Sequence, residues 1–316
     1  MNRFDELKKQ TIIVADTGKI DEIKKYRPTD ATTNPSLILQ AAEIAEYEPL
    51  IEEAVSYGKR KGGQNRLESI TAKVFVNFGT EILKHIPGRV STEVDARLSF
   101  DVEGSIEQAR QYIDLYRQAG IEKERILIKL ASTWEGILAA SQLERKGIRC
   151  NMTLMFGLTQ AIACAEAGAT LISPFVGRIL DWYKKVEGKD SYPPNEDPGV
   201  ISVTKIFNYY KKFGYTTQIM GASFRNVDQV LELAGCDLLT IAPKLLQELI
   251  ETKGTVPKKL CAEKAGQSDL EKVSVDEKTF RRLLNDEAMA TEKLAEGIRN
   301  FAKDTVKLEK LIERML

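Results

Sequence analysis

The chain has 316 residues, enough to bury a sizeable core, and its 46 Lys+Arg balance its 46 Asp+Glu. That balance argues against nucleic acid or an anionic membrane as the main partner, because both demand a concentrated positive surface. Four widely spaced cysteines, Cys150, Cys164, Cys236 and Cys261, form no CxxC pair and read as reduced buried thiols, while the single histidine, His85, excludes histidine triads and multi-histidine metal sites.

The N-terminal residues Met1 to Glu6 lack the apolar core of a signal peptide, and no apolar stretch is long enough to span a membrane, so a cytoplasmic protein is expected. Short β-branched and aliphatic runs then recur along the chain. The first three are Thr11–Ala15, Ala31–Thr33 and Val90–Val94. The next five are Ile126–Ala131, Cys150–Met155, Leu171–Phe175, Thr217–Gly221 and Leu238–Ala242. Segments of helical periodicity separate them, several closed by a glycine (Gly120, Gly147, Gly168, Gly214, Gly235) that suits the left-handed position past a helix end. One such segment, Ser105–Ala119, puts Ile106, Ala109, Ile113 and Tyr116 on one face, and either Ser105 with Gln108 or Asp101 can cap it.

The long interval Pro35–Pro87 should hold two or more helices, and Gly188–Asn195 reads as an inserted loop. Beyond the eighth run, about residues 276–316 form an amphipathic helical extension that packs across the barrel or against a neighbouring subunit. A strand–helix unit repeated eight times predicts a (β/α)8 TIM-type barrel with additional helices, in one domain spanning 1–316. The alternative, an open doubly wound sheet, lacks its Gly-rich first turn here, since the first turn is Ala15-Asp16-Thr17-Gly18-Lys19.

In such a barrel, chemistry gathers at the C-terminal strand ends. Lys129 stands out there, a charge inside the apolar run Ile126-Leu127-Ile128-Lys129-Leu130-Ala131. An ammonium is costly in that setting unless it is paired or deprotonated, and a neutral amine attacks carbonyls. A lysine that merely snorkels or pairs with an acid is the plainer reading. Glu93 shares a face with Ser91 and Asp95, and either pairs with Lys129 or shuttles protons beside it. Asp16 ends the first run, and taken alone it could simply cap the helix opening near Lys19. Asn34, before Pro35, reads as a turn-forming asparagine, Asn151 and Thr153 could merely satisfy backbone groups, and Ser173 is a further polar residue at a strand end.

Gly221-Ala222-Ser223-Phe224-Arg225-Asn226 follows the seventh strand, where small residues and a following helix suit a phosphate gripped by Ser223 and Arg225. Arg178 could add a second guanidinium, or pair with Asp181 three residues on.

These segments together resemble the transaldolase family, class I Schiff-base enzymes of the non-oxidative pentose phosphate pathway. The likeness runs through Val14-Ala15-Asp16-Thr17-Gly18, Asp30-Ala31-Thr32-Thr33-Asn34-Pro35-Ser36-Leu37 and Gly88-Arg89-Val90-Ser91-Thr92-Glu93-Val94-Asp95. It continues through Ile126–Trp134, Ile172–Ile179 and Met220–Asn226, which is nearly the whole chain. The resemblance implies a homodimeric barrel acting on sugar phosphates with neither metal nor organic cofactor. It makes Lys129 the Schiff-base lysine, Asp16 the acid/base at the C4 hydroxyl, and Glu93 with Thr153 the pair holding a catalytic water. It gives Asn34, Asn151 and Ser173 contacts to substrate hydroxyls, and Ser223, Arg225 and Arg178 the phosphate. Phe175 favours a transferase over the related fructose 6-phosphate aldolases, which carry tyrosine at the matching place. Gly157 departs from the family pattern, where serine is common. A plain aldolase with the same lysine and a non-catalytic sugar-phosphate-binding barrel are the rival readings.

Overall fold

The computed structural model describes residues 1–63 and 65–316. Among the described residues, eight strands follow one another in parallel, and the last pairs with the first to close a barrel. They are β1 (Ile12–Asp16), β2 (Asp30–Thr32), β3 (Val90–Glu93), β4 (Ile126–Ala131), β5 (Cys150–Met155), β6 (Leu171–Pro174), β7 (Gln218–Gly221) and β8 (Leu238–Ile241). Each lies within one residue, at either end, of the run expected from sequence. The barrel forms because these strands are almost wholly buried, one face toward the helices and one toward the axis.

The five glycines expected to end helices all adopt left-handed φ, between 72° and 97°. The interval after β2 holds the helices Pro35–Ala42, Glu48–Lys61 and Arg66–Leu83. Of the two possible caps after β3, Asp101 is the one used. Its carboxylate accepts from the Gly104 N–H at 3.0 Å, so that helix runs Val102–Gln118. Ser105 lies inside the helix, and its hydroxyl donates back to the Leu98 carbonyl at 3.0 Å.

Inside the barrel, Val14, Leu127, Leu171, Met220 and Leu238 form a separate apolar plug. Two residues on along each strand, the same interior face carries Asp16, Lys129, Ser173, Ala222 and Thr240. The barrel is therefore sealed below by hydrocarbon and opens above into polar groups.

The C-terminal extension is two helices, Glu277–Asp286 and Ala288–Glu313. The second crosses the mouth at the C-terminal strand ends. Its Ala290, Leu294, Ile298 and Phe301 pack with Ala96, Ala131, Leu154, Phe156, Phe175 and Ala222. Burying such a stripe contributes roughly 1.5–3 kcal/mol for each large side chain. Polar ties fix it at three places. Trp182 Nε1 donates to Glu292 at 2.7 Å, Ser36 Oγ to Asp304 at 2.6 Å, and Arg97 Nη1 to Glu309 at 3.1 Å.

Candidate active site

Strand register brings the central groups together. Glu93 on β3 is level with Lys129 on β4, which is level with Asn151 on β5. Adjacent parallel strands at one level point their side chains the same way, so acid, amine and amide meet on the axis side. Lys129 is 4% exposed. Its Nζ donates to the Thr33 carbonyl at 3.1 Å and lies 3.0 Å from Glu93 Oε2. Beyond this ion pair, Glu93 Oε2 has no hydrogen-bonding partner among the described residues. Thr153 Oγ1, also fully buried, has none either. Burial pushes the Glu93 carboxyl above its ordinary range, against the opposing pull of Lys129 and, more weakly, Arg178.

Asp16, at the end of β1, does not cap the following helix, Ile20–Tyr26, whose N-cap is Lys19. It faces the interior instead. Thr32 Oγ1 donates to its Oδ1 at 2.9 Å, and the Thr240 hydroxyl joins the Thr32 hydroxyl at 2.6 Å. Desolvation raises its pKa above the usual aspartate value, while Lys129, the Thr32 hydrogen bond and Arg178 act to lower it. Thr32 and Thr240 were not among the residues expected from sequence. Thr240 is a polar residue in an otherwise apolar strand, the pattern that marked Lys129, whereas Thr32 follows Asp30 in a three-residue strand and carried no such signal.

Asn151 and Ser173 form a buried relay. Ser173 Oγ donates to Asn151 Oδ1 at 2.6 Å, and Asn151 Nδ2 donates to Ser91 Oγ at 3.0 Å. Asn34 serves two purposes: its side-chain oxygen caps the helix Pro35–Ala42 by accepting from the Leu37 N–H at 2.9 Å, and it also lines the cavity.

Arg178 lies in the first turn of the helix Val176–Glu187 and Arg225 in the loop after β7, and Gly177 lets the two segments approach. A Cβ at Gly177 would sit 2.6 Å from Arg225 Cγ, and the Gly177 N–H donates to the Ser223 carbonyl at 2.8 Å. Ser223 itself holds a left-handed φ of 59°, a sparsely populated conformation for serine that turns the loop over the mouth. The expected partner of Arg178, Asp181, belongs to Arg225 instead, with Nη2 to Oδ2 at 2.7 Å. Arg178 lies between two rings, its guanidinium carbon 4.9 Å from the Phe175 centroid and 5.5 Å from that of Phe301.

Gly157, the departure from the family pattern, lies close to the C-terminal extension. This residue is the N-cap of the helix Leu158–Glu166, and a Cβ there would run into the Glu287 carboxylate.

Asp16, Thr32, Asn34, Lys129, Ser173 and Thr240 line the floor and lower wall of one cavity. Phe175, Arg178, Ala222 and Ser223 form its rim. Its volume is about 60 Å³, a narrow pocket well below the roughly 300–1,000 Å³ of typical small-ligand sites. A larger groove, of about 610 Å³ and lined in part by Ile201, Leu260 and Leu270, lies outside the barrel and away from Lys129. An inward amine beside a buried carboxylate, with a second acid and the Arg178 guanidinium at the rim, defines a barrel equipped to condense with the carbonyl of an anionic substrate. Arg225 does not line this cavity and is held by Asp181.

Residues 13–312 match the transaldolase/fructose-6-phosphate aldolase family, and the chain belongs to that family. A transaldolase of Protochlamydia amoebophila (strain UWE25) is 65% identical over 312 residues, covering 98% of this chain and 97% of its own length. The transaldolases of Homo sapiens and Rattus norvegicus are each 59% identical over 316 residues, covering 99% of this chain and 94% of theirs.

Proposed function

We infer that the chain is a transaldolase, moving a dihydroxyacetone unit between sugar phosphates through a Schiff base on Lys129. The observation that carries this reading is the position of the amine: sequestered from bulk water, 3.0 Å from Glu93 and in one cavity with Asp16.

The Lys129 amine adds to the C2 carbonyl of a ketose phosphate such as fructose 6-phosphate. The carbinolamine then expels water, with protons passed by Glu93 through a water held with Thr153. Apart from the Lys129 ion pair, both oxygens lack a hydrogen-bond partner among the described residues, and a shared water would supply one. The protonated imine becomes the electron sink. Asp16 takes the C4 hydroxyl proton, the C3–C4 bond breaks, and glyceraldehyde 3-phosphate leaves. The electron pair of that bond forms the enamine on Lys129. The enamine attacks the aldehyde of erythrose 4-phosphate and Asp16 returns its proton to the new hydroxyl. Hydrolysis of the imine, which consumes the water released earlier, frees sedoheptulose 7-phosphate. Asn34, Asn151 and Ser173 would hold the hydroxyls of the bound unit, while Arg178, Arg225 and Ser223 hold the phosphate.

The raised pKa of Asp16 suits a group that must both take and return a proton. Phe175, packed 5.5 Å from Phe156, keeps the rim apolar near the imine and favours transfer over release to water. A cytoplasmic homodimer is consistent with the charge balance and with the family resemblance. Among the described residues, no helix is long and apolar enough to cross a membrane.

Borohydride added with fructose 6-phosphate should fix a three-carbon unit on Lys129, located by peptide mass mapping. Labelling at another lysine would end the assignment. Without acceptor aldehyde, little free dihydroxyacetone should accumulate; steady release would make the chain an aldolase.

A further inference from the structure

Among the described residues no carboxylate pairs with the Arg178 guanidinium, since the nearby Asp181 is taken by Arg225. What orients Arg178 is aromatic. Phe175, at the end of β6, covers one side, and Phe301, from the C-terminal helix Ala288–Glu313, covers another. The helix comes this close because residue 297 is glycine. A Cβ there would stand 2.6 Å from Leu154 Cδ2 and 3.3 Å from Arg178 Nη1. Leu154 is itself in a left-handed conformation, φ 51°, at the register shift between β5 and β6, and turns its side chain up against the helix. The three polar ties through Glu292, Asp304 and Glu309 fix the helix along its length, so Phe301 does not slide past the arginine.

We propose that Phe301 is a positioning residue, holding the Arg178 guanidinium where the substrate phosphate arrives, so that the preference for phosphorylated sugars depends on a ring outside the barrel proper. The inference rests on the reading of Arg178 as a phosphate contact. A guanidinium face against a ring keeps its N–H edge free, and that edge is what a phosphate binds.

The test uses a matched pair of acceptors, erythrose 4-phosphate and erythrose, at saturating fructose 6-phosphate. In Phe301→Leu the KM for erythrose 4-phosphate should rise about 3- to 30-fold, the span of a partly desolvated cation–π contact. The kcat should stay within about two-fold, and kcat/KM for erythrose should be unchanged, since a site that holds no phosphate gains nothing from Arg178. Phe301→Tyr, which keeps the ring, should restore the wild-type KM. Phe301→Met gives a ringless alternative should the leucine variant fail to fold.

Equal losses with both acceptors would show a merely structural role, and an unchanged KM for erythrose 4-phosphate would remove the role altogether. Arg178→Met separates the two levels of inference. If it too leaves that KM unchanged, the phosphate reading of Arg178 fails; if it raises the KM while Phe301→Leu does not, only the proposal about Phe301 fails.

Discussion

The plug of Val14, Leu127, Leu171, Met220 and Leu238 and the ring of Asp16, Lys129, Ser173, Ala222 and Thr240 stand on the same five strands, two residues apart. Both layers point to the barrel axis, yet one is hydrocarbon and the other carries an acid, an amine and two hydroxyls. The plug obeys the ordinary rule for a core, with every member at most 2% exposed. The ring breaks that rule. Burial raises the pKa of Asp16 above its ordinary value, which means that its charge is held at a cost in stability. The plug stabilises the fold that holds the ring in register, and the ring spends part of that stability on chemistry. Each layer can be changed without the other, which separates their contributions.

The largest expected effect falls on the ring. Lys129→Met should lower turnover by at least about 10⁴-fold, since no other group in the cavity can form the imine. The far-UV circular dichroism should be that of the wild type, because β4 keeps its apolar run on both sides of the change. Retained activity would remove the ring from the mechanism. Asp16→Asn comes next, with a loss of about 10²- to 10⁴-fold in kcat. Its effect on stability has a sign. Because the folded pKa of Asp16 lies above the unfolded one, the unfolded chain ionises first as pH rises, and the native state loses stability through that window. Asparagine does not titrate. The melting temperature of the variant should therefore gain on that of the wild type between about pH 4 and the folded pKa, then hold a constant lead. A lead that shrinks with rising pH would contradict the reading of Asp16 as a costly buried charge.

The plug should answer in the opposite currency. Leu127→Ala, two residues before the lysine and 2% exposed, should cost about 2–5 kcal/mol in denaturant unfolding. At temperatures where it remains folded, its kcat should stay within a few-fold of wild type. A collapse of kcat in a folded variant would mean that the two layers are not separable.

Much of this arrangement was legible beforehand for a physical reason. A parallel barrel strand is expected to be apolar on both faces, so Lys129 and Glu93 announced themselves by violating the pattern, and period-two spacing gave their direction. Glycines past helix ends were legible because few other residues take a left-handed φ cheaply. Thr32 and Thr240 were passed over because threonine is a good strand former and looks ordinary there. The ion pairs at the rim depend on which segments approach, so helical spacing could offer Asp181 only to Arg178, three residues before it, as one alternative, and not to Arg225, 44 positions away. Phe301 looked like one more apolar residue on an amphipathic helix. Helical spacing alone left open whether that helix would cross the barrel or reach a neighbour. The choice is made by Gly297, Leu154 and the three polar ties, all of them long-range contacts.

The smallest effect concerns one of those overlooked threonines. Thr32 Oγ1 donates to Asp16 Oδ1 at 2.9 Å, and this bond favours the ionised carboxylate. Thr32→Val keeps the shape of the residue and removes the donor. The Asp16 pKa, already above its ordinary value, should then climb further, and a higher pH will be needed to ionise the group. The acid limb of the kcat/KM profile for fructose 6-phosphate, which reports the free enzyme, should move up by about one pH unit, the equivalent of one hydrogen bond to a charged group. On the alkaline side of that limb, where Asp16 is ionised in both proteins, kcat/KM should fall by no more than a few-fold. A limb that moves down, or stays in place while the plateau drops, would show that Thr32 acts on the shape of the cavity and not on the proton of Asp16.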